Sequence, residues 1–416
     1  MKKIFTNAGQ IVTVNTNGKN YKRGNSLSEI HSLTEHSIIV DKGKILDFIP
    51  NQSLHKVSGY QEINLGGKII LPGLIECHTH SVYSGSRSNE FREKLNGKSY
   101  EEISKSGGGI NHTVRSVRET SINQLLSQAK SRIEYFISQG ITTLEIKSGY
   151  GLDFNNEIKI LEVIKALNNI FPIDIVPTFL GAHTIPLEYS NRRAEYISSV
   201  TTQMIPYIAK NKLAEFCDCF CEITAFSADE TDEIFTSAIK HGLNIKLHTD
   251  QFNSIGGINT AIKNNSVSID HLEAIKAEDI LRVAGSETVC VLLPGSSFYL
   301  NREYAPARKL IESNAIIAIS TDFNPGSSNI ADLNLIMSIA AIKMGMTIEE
   351  IISAVTINPA KALNRNLKVG SLEINKDADF AIFNAEDYAE IVYSVGKNLN
   401  VMTVKNGNII YNSYIN

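Results

Sequence analysis

The chain has 416 residues, of which 43% are hydrophobic and 20% charged, and its 40 basic and 44 acidic side chains leave a net charge of −4. This composition excludes an intrinsically disordered chain, and the length is sufficient for a large core. The lack of a basic excess argues against a nucleic-acid partner, and the lack of an apolar run of about 18 residues argues against a membrane partner.

The first 65 residues have the pattern of strands and turns. Within them, Ser37–Phe48 contains two apolar runs around Gly43, which predicts a hairpin. The start of the chain, Met1–Asn7, becomes polar too early for an export signal, so we expect a cytoplasmic protein.

Short apolar runs alternate with amphipathic stretches through the middle of the chain. Ser121–Gln139 has apolar residues three and four apart and is followed by Gly140, which predicts a helix, and Asn156–Ile170 and Asp229–His241 have the same pattern. Eight strands at roughly 30-residue spacing, alternating with such helices, predict a (β/α)8 TIM barrel of the α/β class. The predicted strands are Lys68–Ile75, Thr142–Ile146, Ile173–Phe179, Cys217–Ile223, Asn244–Leu247, Ser266–Ile269, Thr288–Leu292 and Ile316–Ser320.

The C-terminal end again has the pattern of strands. Asp379–Phe383 predicts a strand, and Val401–Val404 and Ile409–Tyr411 flank Asn406 and Gly407, a pair typical of a hairpin turn. Neither end of the chain is long enough for a stable sheet alone. We therefore expect residues 1–67 and 365–416 to form one small β-sandwich-like domain, and residues 68–364 to form the barrel.

The five cysteines are typical of a reducing compartment. Cys217, Cys219 and Cys221 could be read as metal ligands, but the chain has no pair of cysteines with the spacing of a zinc site. Their spacing of two places them on one face of a strand, where we expect them to be buried as small apolar residues.

Five of the ten histidines fall where predicted strands end, and in a TIM barrel the chemistry lies at that end of the strands. They are His78, His80, His183, His248 and His271.

His78 and His80 are two residues apart, so on an extended strand both imidazoles face the same way and can reach one cation. His248 and Asp322 follow two further strands. Each of these residues alone could be structural, but three imidazoles and one carboxylate together predict a site for one Zn²⁺ or Fe²⁺ ion. His271 could be a further ligand or could hydrogen-bond the reacting carbonyl, and we favour the second role.

The number of metal ions follows from the fourth strand. A site with two metal ions would need a lysine at the end of this strand, whose carboxylated side chain would bridge the two ions. The strand leads into Glu222 instead. We therefore expect one divalent metal ion.

Several motifs resemble the amidohydrolase superfamily of metal-dependent hydrolases, and the similarity covers essentially the whole chain. The general motifs are Leu71–His80, Asn358–Leu363, Gly370–Glu373 and Lys376–Phe380. More specific stretches are similar to the imidazolonepropionase family within that superfamily. They are Ser84–Phe91, Gly107–Ile110, Lys147–Asp153, Phe179–His183 and Ser320–Ser327.

The resemblance implies hydrolysis of 4-imidazolone-5-propanoate to N-formimidoyl-L-glutamate in histidine degradation, by a homodimer. It implies that the metal ligands are His78, His80, His248 and Asp322. It implies that the substrate contacts are Arg87, Tyr150, His183, Asn324, Gly326 and Ser327. An arginine suits the propanoate tail, because its planar guanidinium binds a carboxylate through two parallel hydrogen bonds.

Position 251 departs from the pattern of many members, which carry glutamate there. Gln251 cannot accept a proton at neutral pH, so it can only orient substrate or water. Asp322 and His271 remain as proton-handling candidates. The hypothesis is that Asp322 takes a proton from metal-activated water and returns it to the leaving nitrogen, while His271 stabilises the oxyanion.

Three alternatives remain. The chain could be another hydrolase of the superfamily that acts on a cyclic amide or a ring amine, since the ligand set is shared. It could instead be a barrel that retains the fold without catalysis. The glycines at 107–109 could form a phosphate loop, but the Gly-x-x-x-x-Gly-Lys motif is not matched, and a flexible loop near the pocket or a surface turn fits better.

Overall fold

The computed structural model describes residues 2–56, 58–98 and 108–414. The strands in these ranges are, in chain order, β1 (Lys3–Thr6), β2 (Gln10–Val12), β3 (Ser32–Leu33), β4 (His36–Asp41), β5 (Lys44–Pro50), β6 (Gln61–Asn64), β7 (Ile69–Pro72), β8 (Leu74–Glu76), β9 (Ile141–Lys147), β10 (Asp174–Ala182), β11 (Phe216–Cys221), β12 (Asn244–Thr249), β13 (Ser268–His271), β14 (Val289–Leu292), β15 (Ile316–Ile319), β16 (Phe380–Phe383), β17 (Asn400–Lys405) and β18 (Asn408–Asn412).

The α-helices in the same ranges are α1 (Ser88–Leu95), α2 (Ile110–Glu119), α3 (Ile122–Ser138), α4 (Phe154–Ile170), α5 (Arg193–Ser199), α6 (Ile205–Lys210), α7 (Ala228–Lys240), α8 (Gly257–Lys263), α9 (Ala277–Ala284), α10 (Pro294–Leu300), α11 (Ala307–Glu312), α12 (Leu333–Met344), α13 (Ile348–Ala354), α14 (Ile357–Ala362) and α15 (Ala389–Tyr393). A π-helical turn, Val200–Met204, joins α5 to α6. In the part of the chain that the structure describes, no helix combines the length and the apolar character that a membrane crossing needs.

Strands β8 to β15 form one parallel sheet in which every strand pairs with its neighbours in the sequence. A parallel bridge between Thr79 and Phe323, just beyond β8 and β15, brings the first and last strands together. The backbone N–H of His80 donates to the Phe323 carbonyl oxygen there (2.9 Å). Helices follow the strands, so the predicted (β/α)8 barrel is confirmed, and the carboxyl ends of its strands meet at one rim.

Local sequence explains why the barrel helices begin where they do. Ser121 caps α3 by accepting a hydrogen bond from the N–H of Gln124, and the Gln124 side chain accepts one from Ser121 in return. Ser227 and Glu230 make the same reciprocal pair at the start of α7. Such capping boxes satisfy N–H groups that the first turn of a helix leaves free.

The two ends of the chain build a β-sandwich beside the barrel. One sheet has the order β5-β4-β1-β6 and the other has the order β18-β17-β16-β7-β2-β3. Phe5 and Val40 from the first sheet pack with Ile70, Phe380 and Ile382 from the second in one buried cluster. Both predicted hairpins are present, as β4–β5 and β17–β18, so the predicted small domain from both termini is confirmed.

One predicted strand was wrong in its extent. Lys68–Ile75 is two strands, with β7 in the sandwich and β8 in the barrel, and Gly73 lies between them. The N–H of Gly73 donates to the Asp379 carbonyl oxygen (2.9 Å) in the sandwich, and a Cβ at this position would overlap the side chain of Thr142 in the barrel. A continuous apolar run concealed this change of sheet, because both strands are buried.

The cysteines are confirmed as buried free thiols. Cys217, Cys219 and Cys221 on β11 belong to the main apolar core, and burial raises the pKa of each thiol. The residues between them, Asp218 and Phe220, therefore point the other way, into the barrel.

Candidate active site

The five histidines predicted at strand ends converge at the rim of the barrel. The ring centroids of His78 and His248 are 4.5 Å apart, those of His248 and His271 are 5.5 Å apart, and those of His80 and His183 are 5.3 Å apart with nearly parallel planes. The remaining histidines of the chain are exposed or half-buried elsewhere. The barrel thus gathers side chains that lie up to 193 residues apart in the sequence.

His78, His80 and Asp322 have the separations expected of metal ligands. The Asp322 Oδ1 atom lies 3.4 Å from His78 Nε2 and 3.7 Å from His80 Nε2. Two donors that are each about 2.0–2.1 Å from a tetrahedral ion lie roughly 3.4 Å apart, so this spacing fits a divalent cation. Donor atoms of His78, His248 and His271 also lie within 4.8 Å of one another.

The protonation of these imidazoles also fits a metal. Burial, with nearby Lys147 for His78 and nearby His183 for His80, lowers the pKa of both rings well below the usual range, so both are neutral as ligands must be. The Nε2 atoms of His78 and His248 are buried without a hydrogen-bond partner. Unpartnered buried nitrogens are costly unless something occupies the space between them, and a cation would satisfy them.

Carboxylates hold the outer nitrogens of two of these rings. His78 Nδ1 donates to Asp270 Oδ2 (2.6 Å), and His248 Nδ1 lies 3.0 Å from Asp218 Oδ2. The first contact fixes the His78 ring so that Nε2 points into the site, an arrangement common around metal-ligating histidines. The second is a close charge contact that lacks hydrogen-bond geometry, because His248 Nδ1 has no hydrogen-bond partner among the described residues. The sequence analysis missed both aspartates, although Asp270 directly precedes His271 and Asp218 alternates with the buried cysteines of β11.

Asp322 lies in a strained and buried position. Its φ of 52° is in the left-handed region, and burial raises the pKa of its carboxyl to about 6. A bound cation would oppose this rise, because it favours the ionised carboxylate. Backbone strain of this kind costs about 1–3 kcal/mol and is typical of functional positions.

His271 is oriented by an acidic neighbour that the sequence analysis also missed. Its Nδ1 atom lies 3.4 Å from Glu273 Oε1, which leaves Nε2 to face a cavity at the rim of the barrel. The cavity is lined by His80, Tyr150, His183, Phe220, His248, Gln251, His271, Asp322, Asn324 and Ser327. Burial alone would lower the pKa of His271, but the carboxylates of Glu273, Asp322 and Asp270 together outweigh burial and raise it. The raised pKa suits His271 to donate a hydrogen bond, and its donor atom also has ligand spacing to His78 and His248.

Tyr150 and His183 form one wall of the cavity, with their rings 5.5 Å apart. The His183 Nδ1–H donates to the Gly149 carbonyl oxygen (3.0 Å), and burial lowers the pKa of His183 to about 3, so its Nε2 is an acceptor. Glu157 on α4 accepts hydrogen bonds from the N–H groups of Gly149, Gly151 and Leu152 (2.7–3.2 Å) and so fixes the loop that carries Tyr150.

Arg87 lies at the start of α1, close to the loop after β15. Its Nε donates to Glu90 Oε2 (2.8 Å), and its Nη2 lies 2.8 Å from the same oxygen. The Nη1 side packs against Gly326, where a Cβ would overlap the guanidinium. Glu90 thus holds the Nε and Nη2 edge of the guanidinium, and Arg87 is not among the residues that line the cavity.

The loop after β15 is tied together by Asn324. Its Nδ2 donates to the Asp322 carbonyl oxygen (2.6 Å), and its Oδ1 accepts from the N–H groups of Gly326 and Ser327 (both 2.8 Å). Asn324 and Ser327 also line the cavity. The side chain of Asn324 therefore shapes the loop that positions Asp322 and Gly326.

Gln251 lines the cavity and donates from Nε2 to Ser296 Oγ (3.3 Å). Glu222, at the end of the fourth barrel strand, accepts from the N–H groups of Phe252 and Asn253 (both 3.0 Å). Glu222 therefore anchors the loop after Gln251.

Phe220 also lines the cavity and was not predicted, because an aromatic residue on a strand is typical of a core.

Only part of the glycine stretch at 107–109 lies within the residues that the structure describes. Gly107 lies outside the described residues, and Gly109 leads directly into α2.

Comparison with known protein families supports a metal-dependent hydrolase. The amidohydrolase family model matches residues 69–410. The chain is 40% identical over 408 residues to the imidazolonepropionase of Flavobacterium johnsoniae, covering 98% of this chain and 99% of the relative. It is 41% identical to the imidazolonepropionase of Geobacillus thermodenitrificans, covering 93% and 92% of the two chains.

Solved structures share the fold at low sequence identity. A zinc-bound adenosine deaminase from Xanthomonas campestris superposes with a TM-score of 0.75 at 15% identity, covering 99% of this chain and 93% of that one. The guanine deaminase of E. coli superposes with a TM-score of 0.74 at 12% identity, covering 99% of both chains. At this identity the likeness supports the fold alone.

Proposed function

Because the chain belongs to the amidohydrolase family and, within it, to the imidazolonepropionases, we propose that it hydrolyses the ring amide C–N bond of 4-imidazolone-5-propanoate. The product is N-formimidoyl-L-glutamate, formed in histidine degradation. The observation that carries the choice of substrate is the full-length similarity to relatives of that name, 40% over 98% of the chain. The cavity supplies the groups that such a reaction requires.

The metal is held by His78, His80, His248 and Asp322. His78, His80 and Asp322 fit one divalent cation, Zn²⁺ or Fe²⁺, in donor type and spacing, and His248 has ligand spacing to His78. When bound, such a cation polarises a carbonyl oxygen and lowers the pKa of a water molecule toward about 7.

The substrate is held by Arg87 and by side chains that line the cavity. The free edge of the Arg87 guanidinium binds the propanoate tail. His183 accepts a hydrogen bond from a ring N–H through Nε2, since its Nδ1 already donates to Gly149. Tyr150 packs beside the ring, and Ser327 and Gln251 hydrogen-bond substrate or water from the cavity wall.

Asp322 and His271 handle the charge and the proton. Asp322 accepts a proton from the attacking water, whose oxygen becomes part of a new carboxylate, and delivers that proton to the ring nitrogen as the C–N bond breaks. His271 donates from Nε2 to the carbonyl oxygen as negative charge builds there. Groups aimed at a developing oxyanion typically lower the barrier by about 3–4 kcal/mol.

The test is a direct assay of purified, metal-analysed protein with freshly made 4-imidazolone-5-propanoate. The loss of ring ultraviolet absorbance is followed with and without a chelator, and the product is identified as N-formimidoyl-L-glutamate. We expect rapid, chelator-sensitive turnover. His248→Ala should abolish both metal retention and turnover, whereas His241→Ala, a change at an exposed histidine at the end of α7, should alter neither.

Absence of turnover by fully metallated protein would refute the substrate and leave the metal site intact. A panel of cyclic amides and ring amines would then identify the class of substrate, since other hydrolases of the family share the donor set.

A further inference from the structure

A layer of buried charge lies directly beneath the metal-facing imidazoles. Asp270 on β13 accepts a hydrogen bond from the outer nitrogen of His78, and Asp218 on β11 lies 3.0 Å from the outer nitrogen of His248. Both aspartates are fully buried. Two buried carboxylates require nearby positive charge, because an uncompensated buried charge costs several kcal/mol.

Lys147, the last residue of β9, provides that charge. Its Nζ lies 2.7 Å from Asp218 Oδ2 and 3.5 Å from Asp270 Oδ2. These two oxygens are the same atoms that face His248 Nδ1 and His78 Nδ1. One ammonium group therefore fixes the two carboxylate oxygens that orient two separate imidazoles.

The ammonium occupies a place that would otherwise suit a metal ion. Oxygen and nitrogen atoms of Asp218, His248 and Asp270 lie within 4.8 Å of one another, which is ligand spacing. Burial alone would lower the pKa of Lys147, but the three surrounding carboxylates outweigh burial and raise it, so the side chain stays charged. A fixed internal cation thus supplies, beside this group, the positive charge that a second ion would bring.

We propose that Lys147 is a positioning residue for the metal, which acts through Asp218 and Asp270 to hold His248 and His78 with Nε2 toward the cation. The inference rests on the proposed ligand roles of the two histidines and does not depend on the substrate. Groups that orient metal ligands in this way typically contribute 10- to 100-fold to metal affinity or activity.

The barrel offers a matched control in Lys246. This lysine is on β12, is also fully buried, and donates to Glu145 Oε1 (2.8 Å) and to the Cys77 carbonyl oxygen (3.2 Å). Glu145 is shared, because its Oε2 lies 3.1 Å from Lys147 Nζ. Removing either lysine therefore removes one buried positive charge beside Glu145. Within the described residues, Lys147 also contacts Asp218 and Asp270, whereas Lys246 has no ion pair with either aspartate.

The experiment compares Lys147→Met with Lys246→Met in the full chain. Metal-free protein is titrated with Zn²⁺ against a chromophoric chelator, and the visible absorption of the Co²⁺ form reports the geometry of the ligands. We expect Lys147→Met to weaken Zn²⁺ affinity by about 10- to 100-fold and to shift the Co²⁺ bands. Lys246→Met should leave the Zn²⁺ affinity within about threefold of the wild type and the Co²⁺ absorption bands unchanged. Groups that orient metal ligands typically change affinity by about 10-fold or more, so a smaller effect marks a residue without that role.

Circular dichroism and thermal unfolding of the metal-free proteins show whether each variant folds. If Lys147→Met does not fold, Lys147→Gln keeps a hydrogen-bond donor without the charge, and we expect it to fold and to weaken affinity by at least 10-fold. Equal affinities in folded Lys147 and Lys246 variants would overturn the proposal. A wild-type protein that binds no Zn²⁺ would overturn the metal ligation as well, whereas tight binding without turnover would overturn only the substrate.

Discussion

Gly326→Ala is the substitution whose effect the structure defines most closely. A Cβ at position 326 would overlap Nη1 of Arg87 and lie 2.8 Å from its Cζ. Non-bonded carbon atoms pack about 3.5 Å apart, so the guanidinium must move by roughly 1 Å. Its opposite edge lies against Glu90 at 2.8 Å, so a shift away from position 326 pushes the guanidinium into that carboxylate, and Arg87 and Glu90 must both move. The residue proposed to bind the propanoate tail is therefore displaced.

The expected magnitude follows from the hydrogen bonds to the tail. A hydrogen bond to a charged group contributes about 1.5–3 kcal/mol, which corresponds to about 10- to 150-fold in binding. The tail does not react, so the loss should raise KM with little change in kcat. Steady-state kinetics of Gly326→Ala and Arg87→Ala measure both constants, and the second variant sets the upper limit of the effect.

Gly285→Ala serves as the control, because Gly285 is exposed at the end of α9 and a Cβ there would meet its nearest neighbour at an ordinary 3.5 Å. It should leave KM unchanged. A wild-type KM in Gly326→Ala, alongside a raised KM in Arg87→Ala, would show that the guanidinium does not lie against Gly326 when substrate binds. A parallel loss of metal would mean that the loop carrying Asp322 had been distorted, and the reasoning from Arg87 would then be refuted.

Two further predictions concern His271 and the cysteines. His271→Ala should lower kcat by about 100- to 1000-fold, the effect of removing one oxyanion donor, with an unchanged metal content by elemental analysis. Loss of metal in parallel with activity would instead make His271 a ligand. All five thiols are buried, so a colourimetric thiol reagent should react with none of them in the native protein at neutral pH and with all five in denaturant. Rapid native labelling would contradict the burial of the cysteines on β11.

Most of the barrel could be predicted because its strands and helices have clear periodicities and stop at capping residues or glycines. The meeting of His78, His248 and Asp322 at one rim could be predicted for a related reason, since a TIM barrel brings every strand end to the same rim, and their roles as ligands remain a proposal. The strand Lys68–Ile75 could not be divided correctly, because the change of sheet at Gly73 depends on a close approach to Thr142 in a distant part of the chain. No periodicity in the sequence records such a contact.

The groups that orient the site were harder to predict for a physical reason. Asp218, Lys147 and Asp270 each occur singly on different strands, and a single charged residue in an apolar run indicates only an exception to the pattern. Their meaning depends on how deep each strand places its side chain in the barrel, which is set by the register between neighbouring strands. The register pairs Lys147 with Thr178, Asp218 with Lys246 and Asp270 with His248, so no single pair of strands shows that these three charges meet. The residues at the rim can thus be read from where strands end, whereas the charges beneath them become apparent only in the closed barrel.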